Sequence, residues 1–124
     1  MTPTILVVED SDVCRDALEV ALSILPQFAV RAVATAEQAL ECLAAENICA
    51  LVTDLQLVNM NGFELIKRVR SQPRRAALPI LVISGDNDPD TPARLAEIGA
   101  DAFFTKPYSP AAVRGKLEEL VDVY

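Results

Sequence analysis

Glu9, Asp10, Asp54, Ser84 and Lys106 are the residues of this chain best suited to chemistry, and each stands just after a short apolar run. Histidine is missing altogether, which removes Ser-His-Asp and Cys-His catalysis, imidazole-bound zinc and any imidazole proton shuttle. The chemistry must therefore run on carboxylates, hydroxyls and lysines. Carboxylates brought close together repel, and each raises its neighbours' pKa unless a cation joins them. A hard, oxygen-seeking divalent ion suits such a cluster, and Mg²⁺ takes one or two carboxylates, several waters and a phosphoryl oxygen. An aspartate such as Asp54 can itself be the nucleophile and form an aspartyl phosphate. Phosphoryl transfer is catalysed chiefly by positioning and by neutralising the equatorial oxygens. The cation, the Ser84 hydroxyl and the Lys106 ammonium are suited to that task.

Taken singly, these residues are ordinary. An acid after a strand is commonly a helix cap, a lone aspartate a turn former, and a lysine before proline a surface residue. What makes them a set is the framework around them. Five runs read as strands: Ile5-Leu6-Val7-Val8, Ala29-Val30-Arg31-Ala32-Val33, Ala50-Leu51-Val52-Thr53, Ile80-Leu81-Val82-Ile83 and Ala102-Phe103-Phe104-Thr105. The first, third and fourth are almost wholly apolar, as strands covered on both faces must be. The second and fifth are less so and suit the sheet edges.

Helical stripes lie between and after the strands. They run through Cys14, Leu18, Ala21, Leu22 and Leu25, then Ala36, Ala39, Leu40 and Leu43, then Gly62, Leu65, Ile66 and Val69. A short one carries Leu95 and Ile98 with Gly99 as its stop, and the last carries Val113, Leu117, Leu120 and Val121. Thr35 with Gln38 reads as a capping box. Thr91-Pro92 and Ser109-Pro110 each read as a cap before a first-turn proline. Asn61-Gly62 reads as the entry to the third helix rather than as a hairpin turn. The pattern is (βα)₅, an α/β fold with a doubly wound, five-stranded parallel sheet. Loops at the carboxyl ends of such strands gather at one edge, so the candidate residues converge there.

Composition narrows the partners. The 124 residues carry 18 acidic against 11 basic side chains, a net charge of −7. Such a charge repels nucleic acid and anionic membranes. The basic cluster Lys67, Arg68, Arg70, Arg74 and Arg75 reads as a solvated helix face and the loop after it. No apolar run approaches the roughly 20 residues needed to cross a bilayer, and Met1-Thr2-Pro3-Thr4 does not open a secretory signal. Cys14, Cys42 and Cys49 form no CxxC pair and no metal-ligand spacing, which fits reduced, buried thiols in a cytoplasmic protein. One domain, 1–124, is expected, with no output domain before the chain ends at Tyr124.

Over essentially its whole length the sequence resembles the response-regulator receiver family of two-component signalling. The matching segments are Ile5-Leu6-Val7-Val8-Glu9-Asp10-Ser11, Thr53-Asp54-Leu55 through Met60-Asn61-Gly62, Val82-Ile83-Ser84-Gly85, and Gly99 through Pro107. The resemblance implies a flavodoxin-like sheet of order 2-1-3-4-5. It implies that Asp54 is the phosphoacceptor and that Glu9, Asp10, Asp54 and the backbone carbonyl of Gln56 organise Mg²⁺. It also implies that Ser84 and Lys106 contact the phosphoryl group, and that Ser84 and Phe103 form the switch. Gln56 and Asp86 would flank the path of attacking water, and the Lys106-Pro107 bond would be cis. The implied partner is a histidine kinase or phosphotransfer protein, with a small phosphodonor as substitute. The implied output surface is the fourth helix, fifth strand and fifth helix, about residues 91–123, serving a partner or a homodimer. Such a domain is no enzyme toward other molecules and catalyses only its own phosphorylation and dephosphorylation. Val58 stands where the family often has proline, Gly85 where it often has alanine, and Phe103 where it often has tyrosine.

Three other readings use some of the same residues. Asp10-Ser11-Asp12-Val13 fits the nucleophile motif of haloacid-dehalogenase-like phosphatases, with Asp10 phosphorylated and Asp12 as general acid, but that leaves Asp54 unexplained in a short chain. A flavodoxin-like cofactor carrier needs a hydroxyl- and glycine-rich phosphate loop where this chain has acids. A pseudo-receiver would act as an interaction module without phosphorylation, and the intact acidic, hydroxyl and lysine set argues against it.

Overall fold

Four consecutive side chains of the first strand, Ile5 to Val8, are at most 1% exposed, which is possible only in a strand with helices on both faces. A computed structural model of the chain, describing residues 2–121, shows that arrangement. Along the chain come β1 (Thr4–Val8), α1 (Asp12–Ser23), β2 (Ala29–Val33), α2 (Ala36–Ala45), β3 (Ile48–Thr53) and α3 (Gly62–Arg70). A 3₁₀ turn (Pro73–Arg75) follows, then β4 (Ile80–Ser84), α4 (Thr91–Glu97), β5 (Ala102–Thr105) and α5 (Pro110–Leu120). All strand pairs are parallel, in the order β2-β1-β3-β4-β5. This is the doubly wound, flavodoxin-like sheet that the sequence pattern and its family resemblance lead one to expect. Asp122 and Val123, the end of the expected 91–123 surface, lie outside the described residues, as do Met1 and Tyr124.

Each face of the sheet has its own core. Ile5, Val7, Ala50, Val52, Leu81 and Ile83 point to the side covered by α1 and α5, against Leu18, Leu22, Val113 and Leu117. Leu6, Val8, Leu51, Ile80 and Val82 point to the other, against α2, α3 and Leu95 of α4. The alternation of neighbours along each strand is the two-residue period of a pleated strand. Because β1 and β3 are adjacent yet their following helices cover opposite faces, the loops after them part and leave a crevice.

The helix ends follow their capping residues. Ser11 accepts from Cys14 N at 3.3 Å, Asn61 from Glu64 N at 2.9 Å, and Ser109 from Ala112 N at 3.2 Å. Thr35 and Gln38 form the reciprocal box. Gly99 follows α4 with φ 98°, a left-handed turn suited to glycine. One cap differs from expectation. Thr91 is the first residue of α4 and not its cap, and Asp90 before it makes no side-chain cap bond. The physical reason is burial: the Thr91 side chain is 0% exposed, and its hydroxyl is given to Asp86 instead.

The basic cluster is mostly exposed as expected, with Arg68 on Glu64, but Arg70 is structural. Its guanidinium donates to Gly99 O at 2.7 Å, to Arg75 O at 2.9 Å and to Asp101 Oδ2 at 3.2 Å, tying α3 to the turn after α4. Of the three cysteines, all free, Cys42 is buried while Cys14 and Cys49 are half-buried. Among the described residues no helix is long and apolar enough to cross a membrane.

Candidate functional site

Sheet pairing runs one residue beyond β1 and β3, and this fixes the main chain of the two innermost acids. Glu9 N donates to Val33 O and Asp54 N to Val8 O, both at 3.1 Å. Neither acid caps a helix, since Ser11 does that work for α1. Asp54 then turns its carboxylate back on its own loop. Oδ1 accepts from Leu55 N at 2.6 Å and from Gln56 N at 3.2 Å, while Thr53 Oγ1 donates to the Asp54 carbonyl at 2.8 Å. Gly62, at the start of α3, presses on the same carbonyl. A Cβ there would stand 2.5 Å from Asp54 O and 2.7 Å from Leu55 Cα, so only glycine fits.

Lys106 arrives from the far side of the crevice. Its amide donates to Ser84 O at 2.9 Å, tying the ends of β4 and β5, and the Lys106-Pro107 bond is cis. Its Nζ lies 2.9 Å from Asp54 Oδ2 and 3.1 Å from Glu9 Oε1. Glu9 and Asp54 are buried, Asp10 is exposed, and one carboxylate oxygen from each lies within 4.8 Å of the other two.

The electrostatics follow from this crowding. Burial, with Asp54 beside it, pushes the Glu9 carboxyl up to about 7 against the pull of Lys106. Burial also works to raise Asp54. There the hydrogen bonds from Glu9, Lys106 and the Gln56 amide outweigh it and hold the carboxyl below its ordinary range. Burial alone would lower Lys106, but its two carboxylate partners lift it above the ordinary lysine range. Three carboxylates against one ammonium leave two negative charges over when all are ionised. An all-oxygen, doubly negative donor set fits a hard divalent cation such as Mg²⁺.

Glu9, Asp10, Asp54 and Lys106 are thus brought together by direct geometry. Ser84 sits at the adjoining end of β4, 0% exposed, with its Oγ accepting from Asp86 N at 3.2 Å. Gln56 is exposed on the loop after Asp54. Phe103 lies on β5 beside Val82, half-buried against the core under α3 and α4. Asp86 does not stand free: Asp88 N donates to its Oδ1 at 2.8 Å and Thr91 Oγ1 to its Oδ2 at 2.9 Å. Reading the sequence overlooked two supports. One is the close approach of Gly62, legible only as a helix entry. The other is Arg15, whose guanidinium donates to Glu9 O at 2.9 Å while pairing with Asp12.

Comparison with known proteins agrees. The model of the response regulator receiver domain matches residues 5–118. The two-component response regulator ORR11 of Oryza sativa subsp. indica is 35% identical over 112 residues, covering 90% of this chain and 76% of that protein. A structure described as a response regulator from Chloroflexus aurantiacus superposes with a TM-score of 0.89 at 30% identity, covering 97% of this chain and 98% of the other. A response regulator receiver protein from Pseudomonas putida gives 0.81 at 34%, covering 97% and 95%. With its sheet order, its acidic crevice and these relatives, the chain belongs to the response regulator receiver domain family.

Proposed function

We propose that residues 1–124 act as one receiver domain in which Asp54 accepts a phosphoryl group from a histidine kinase or phosphotransfer protein. The observation that carries this reading is the meeting of Lys106 with both Asp54 and Glu9 at the strand ends. Asp54 Oδ1 is pinned by two amides, so the plane of the carboxylate is set and Oδ2 is the oxygen it presents. That oxygen forms the new O–P bond as the donor's P–N bond breaks, and the bonding pair leaves with the imidazole. Lys106 exchanges its contact with Oδ2 for a phosphoryl oxygen, and the Ser84 hydroxyl donates to another. Asp10, Glu9, Asp54 and the Gln56 carbonyl would hold Mg²⁺, which supplies charge neutralisation at the transferred oxygens. Asp10 as the nucleophile has less support, because it is exposed while Asp54 is buried and held from three sides.

The donor's approach has a matching surface. Val13, Ala17 and Val20 of α1, with Ile24 just past it, are exposed at four- and three-residue steps, Val13 at 79%. That spacing is the seam with which one helix packs on another, and it begins beside the acidic loop. For output, loss of the Ser84 side chain's resting position leaves room for Phe103 to turn inward, altering the surface of α4, β5 and α5.

The test is chemical. With Mg²⁺ and acetyl phosphate the protein should gain one acid-stable, base-labile phosphoryl group, and Asp54→Asn should gain none. Equal labelling of Asp54→Asn would sink the reading.

A further inference from the structure

Between Ser84 and α4 the loop makes an unbroken chain of hydrogen bonds that the phosphoryl chemistry itself does not require. Asp86 N donates to Ser84 Oγ at 3.2 Å. The Asp86 carboxylate then accepts from Asp88 N at 2.8 Å and from Thr91 Oγ1 at 2.9 Å. Thr91 is fully buried, so its hydroxyl has no water to turn to, and a buried donor left unpaired is strongly disfavoured. Among the described residues, Asp86 is therefore the group that joins the Ser84 hydroxyl oxygen to the first turn of α4. Asp88 carries the brace on, accepting from Asp90 N at 2.9 Å. Arg94, one turn into the helix, stacks on Phe63 of α3 at 4.4 Å.

We infer that Asp86 is a positioning residue, a latch that braces the β4–α4 loop on buried Thr91 and holds the Ser84 hydroxyl in its resting place. The inference rests on the phosphoacceptor reading for its consequence, though not for its geometry. A Ser84 that donates to a phosphoryl oxygen on Asp54 must move toward it and away from Asp86 N. The bond at the head of the chain is then lost, and the loop that Asp86 anchors is freed to shift α4. Phosphorylation and movement of α4 are thereby coupled through one carboxylate. The same latch keeps part of the unphosphorylated population out of the competent state, and apparent affinity for a phosphoryl ligand falls by that fraction. The held carboxyl of Asp86 sits below its ordinary range, chiefly through the Asp88 amide and then the Thr91 hydroxyl, as a charged acceptor in steady use would.

The test uses the full chain labelled with ¹⁵N. Without any ligand, Ser84→Ala should displace the Asp86 amide resonance and, through it, those of Thr91 to Leu95. In an Asp86→Ala background the same substitution should disturb only its immediate neighbours. With beryllofluoride and Mg²⁺ as the phosphoryl mimic, Asp86→Ala and Thr91→Val should each bind roughly three- to tenfold more tightly than wild type. The double variant should bind no more tightly than either single, because both cut one chain. Thr91→Ser, which keeps the hydroxyl, should return to wild-type affinity. Asp86→Ala, in a half-exposed loop, keeps the test readable should Thr91→Val fail to fold. Variants that bind as wild type does, or gains that multiply in the double, overturn the latch. A wild-type protein that binds no beryllofluoride overturns the phosphoacceptor reading instead. The ligand-free spectra then decide the latch, which is overturned if the Ser84→Ala disturbance reaches α4 with Asp86 removed.

Discussion

Lys106 Nζ stands 2.9 Å from Asp54 Oδ2, joining residues 52 positions apart, and 3.1 Å from Glu9 Oε1. Burial, with Asp54 beside it, nevertheless raises the Glu9 carboxyl from 4.5 to about 7 against the pull of Lys106. Between those values the folded chain holds a proton on Glu9 that the unfolded chain has released, so stability falls as pH rises through the window. Asp54, held low, acts oppositely: its support is present above 3.8 and is lost as pH falls. Without Mg²⁺, urea melts should show a decline from pH 5 to pH 8 on the order of 1–3 kcal/mol. Glu9→Gln should flatten it. A Glu9→Gln profile parallel to wild type would show that Glu9 is not the titrating group.

Metal dependence follows from the same crowding. A cation that binds only the folded crevice stabilises it by mass action, about 2.7 kcal/mol at a hundredfold excess over its dissociation constant. Melting temperature should rise with millimolar Mg²⁺, and more at pH 8 than at pH 5, where Glu9 keeps its proton. Asp10→Ala should weaken Mg²⁺ binding more than Glu9→Gln, since Glu9 is already committed to Lys106. Calorimetric titration of the two variants checks the order, and a reversed order would contradict it.

The exposed stripe on α1 separates two routes to the same product. Val20→Asp, at a position 70% exposed, should leave labelling by acetyl phosphate unchanged and slow transfer from a cognate phosphohistidine protein by roughly ten- to a hundredfold. Loss of one well-buried interface anchor, about 1.5–3 kcal/mol, has that size. Transfer kinetics that match wild type would remove α1 from the donor's docking surface.

Output can be read directly as well. In the unliganded chain Phe103 is half-buried, and with no hydroxyl to keep solvated its inward rotamer has only apolar burial to gain. Beryllofluoride with Mg²⁺ should shift the amides of Phe103, α4 and α5 along with those near Asp54, moving a population that exists beforehand. Shifts confined to the loops around Asp54 would show that this surface does not switch.

Much of this was legible in the residues. The five apolar runs marked the strands because burial on both faces leaves no room for polar alternation. The acids, the hydroxyl and the lysine were conspicuous because each interrupts an apolar run at its end. What stayed hidden depends on distance in space. Thr91-Pro92 carries the signature of a cap and proline, and nothing local reveals that the threonine side chain is buried against Asp86. Arg70 sits in a run of bases that reads as a wet helix face, while its partners Gly99 and Asp101 lie 29 and 31 residues away. Gly62 passes for a helix entry, because its contact with the Asp54 carbonyl exists only once α3 has docked.

The reach of Lys106 to Glu9 spans 97 residues and bears on the order in which this chain can become competent. Contacts so distant in sequence form late, after the loop entropy of the intervening chain has been overcome. A chain still emerging from the ribosome, with β1 to β3 made, already carries every carboxylate of the crevice but lacks its ammonium. The contacts of Lys106 with Glu9 and Asp54 thus close the crevice only once the segment after β5 has docked, which places completion of the candidate site among the later steps of folding.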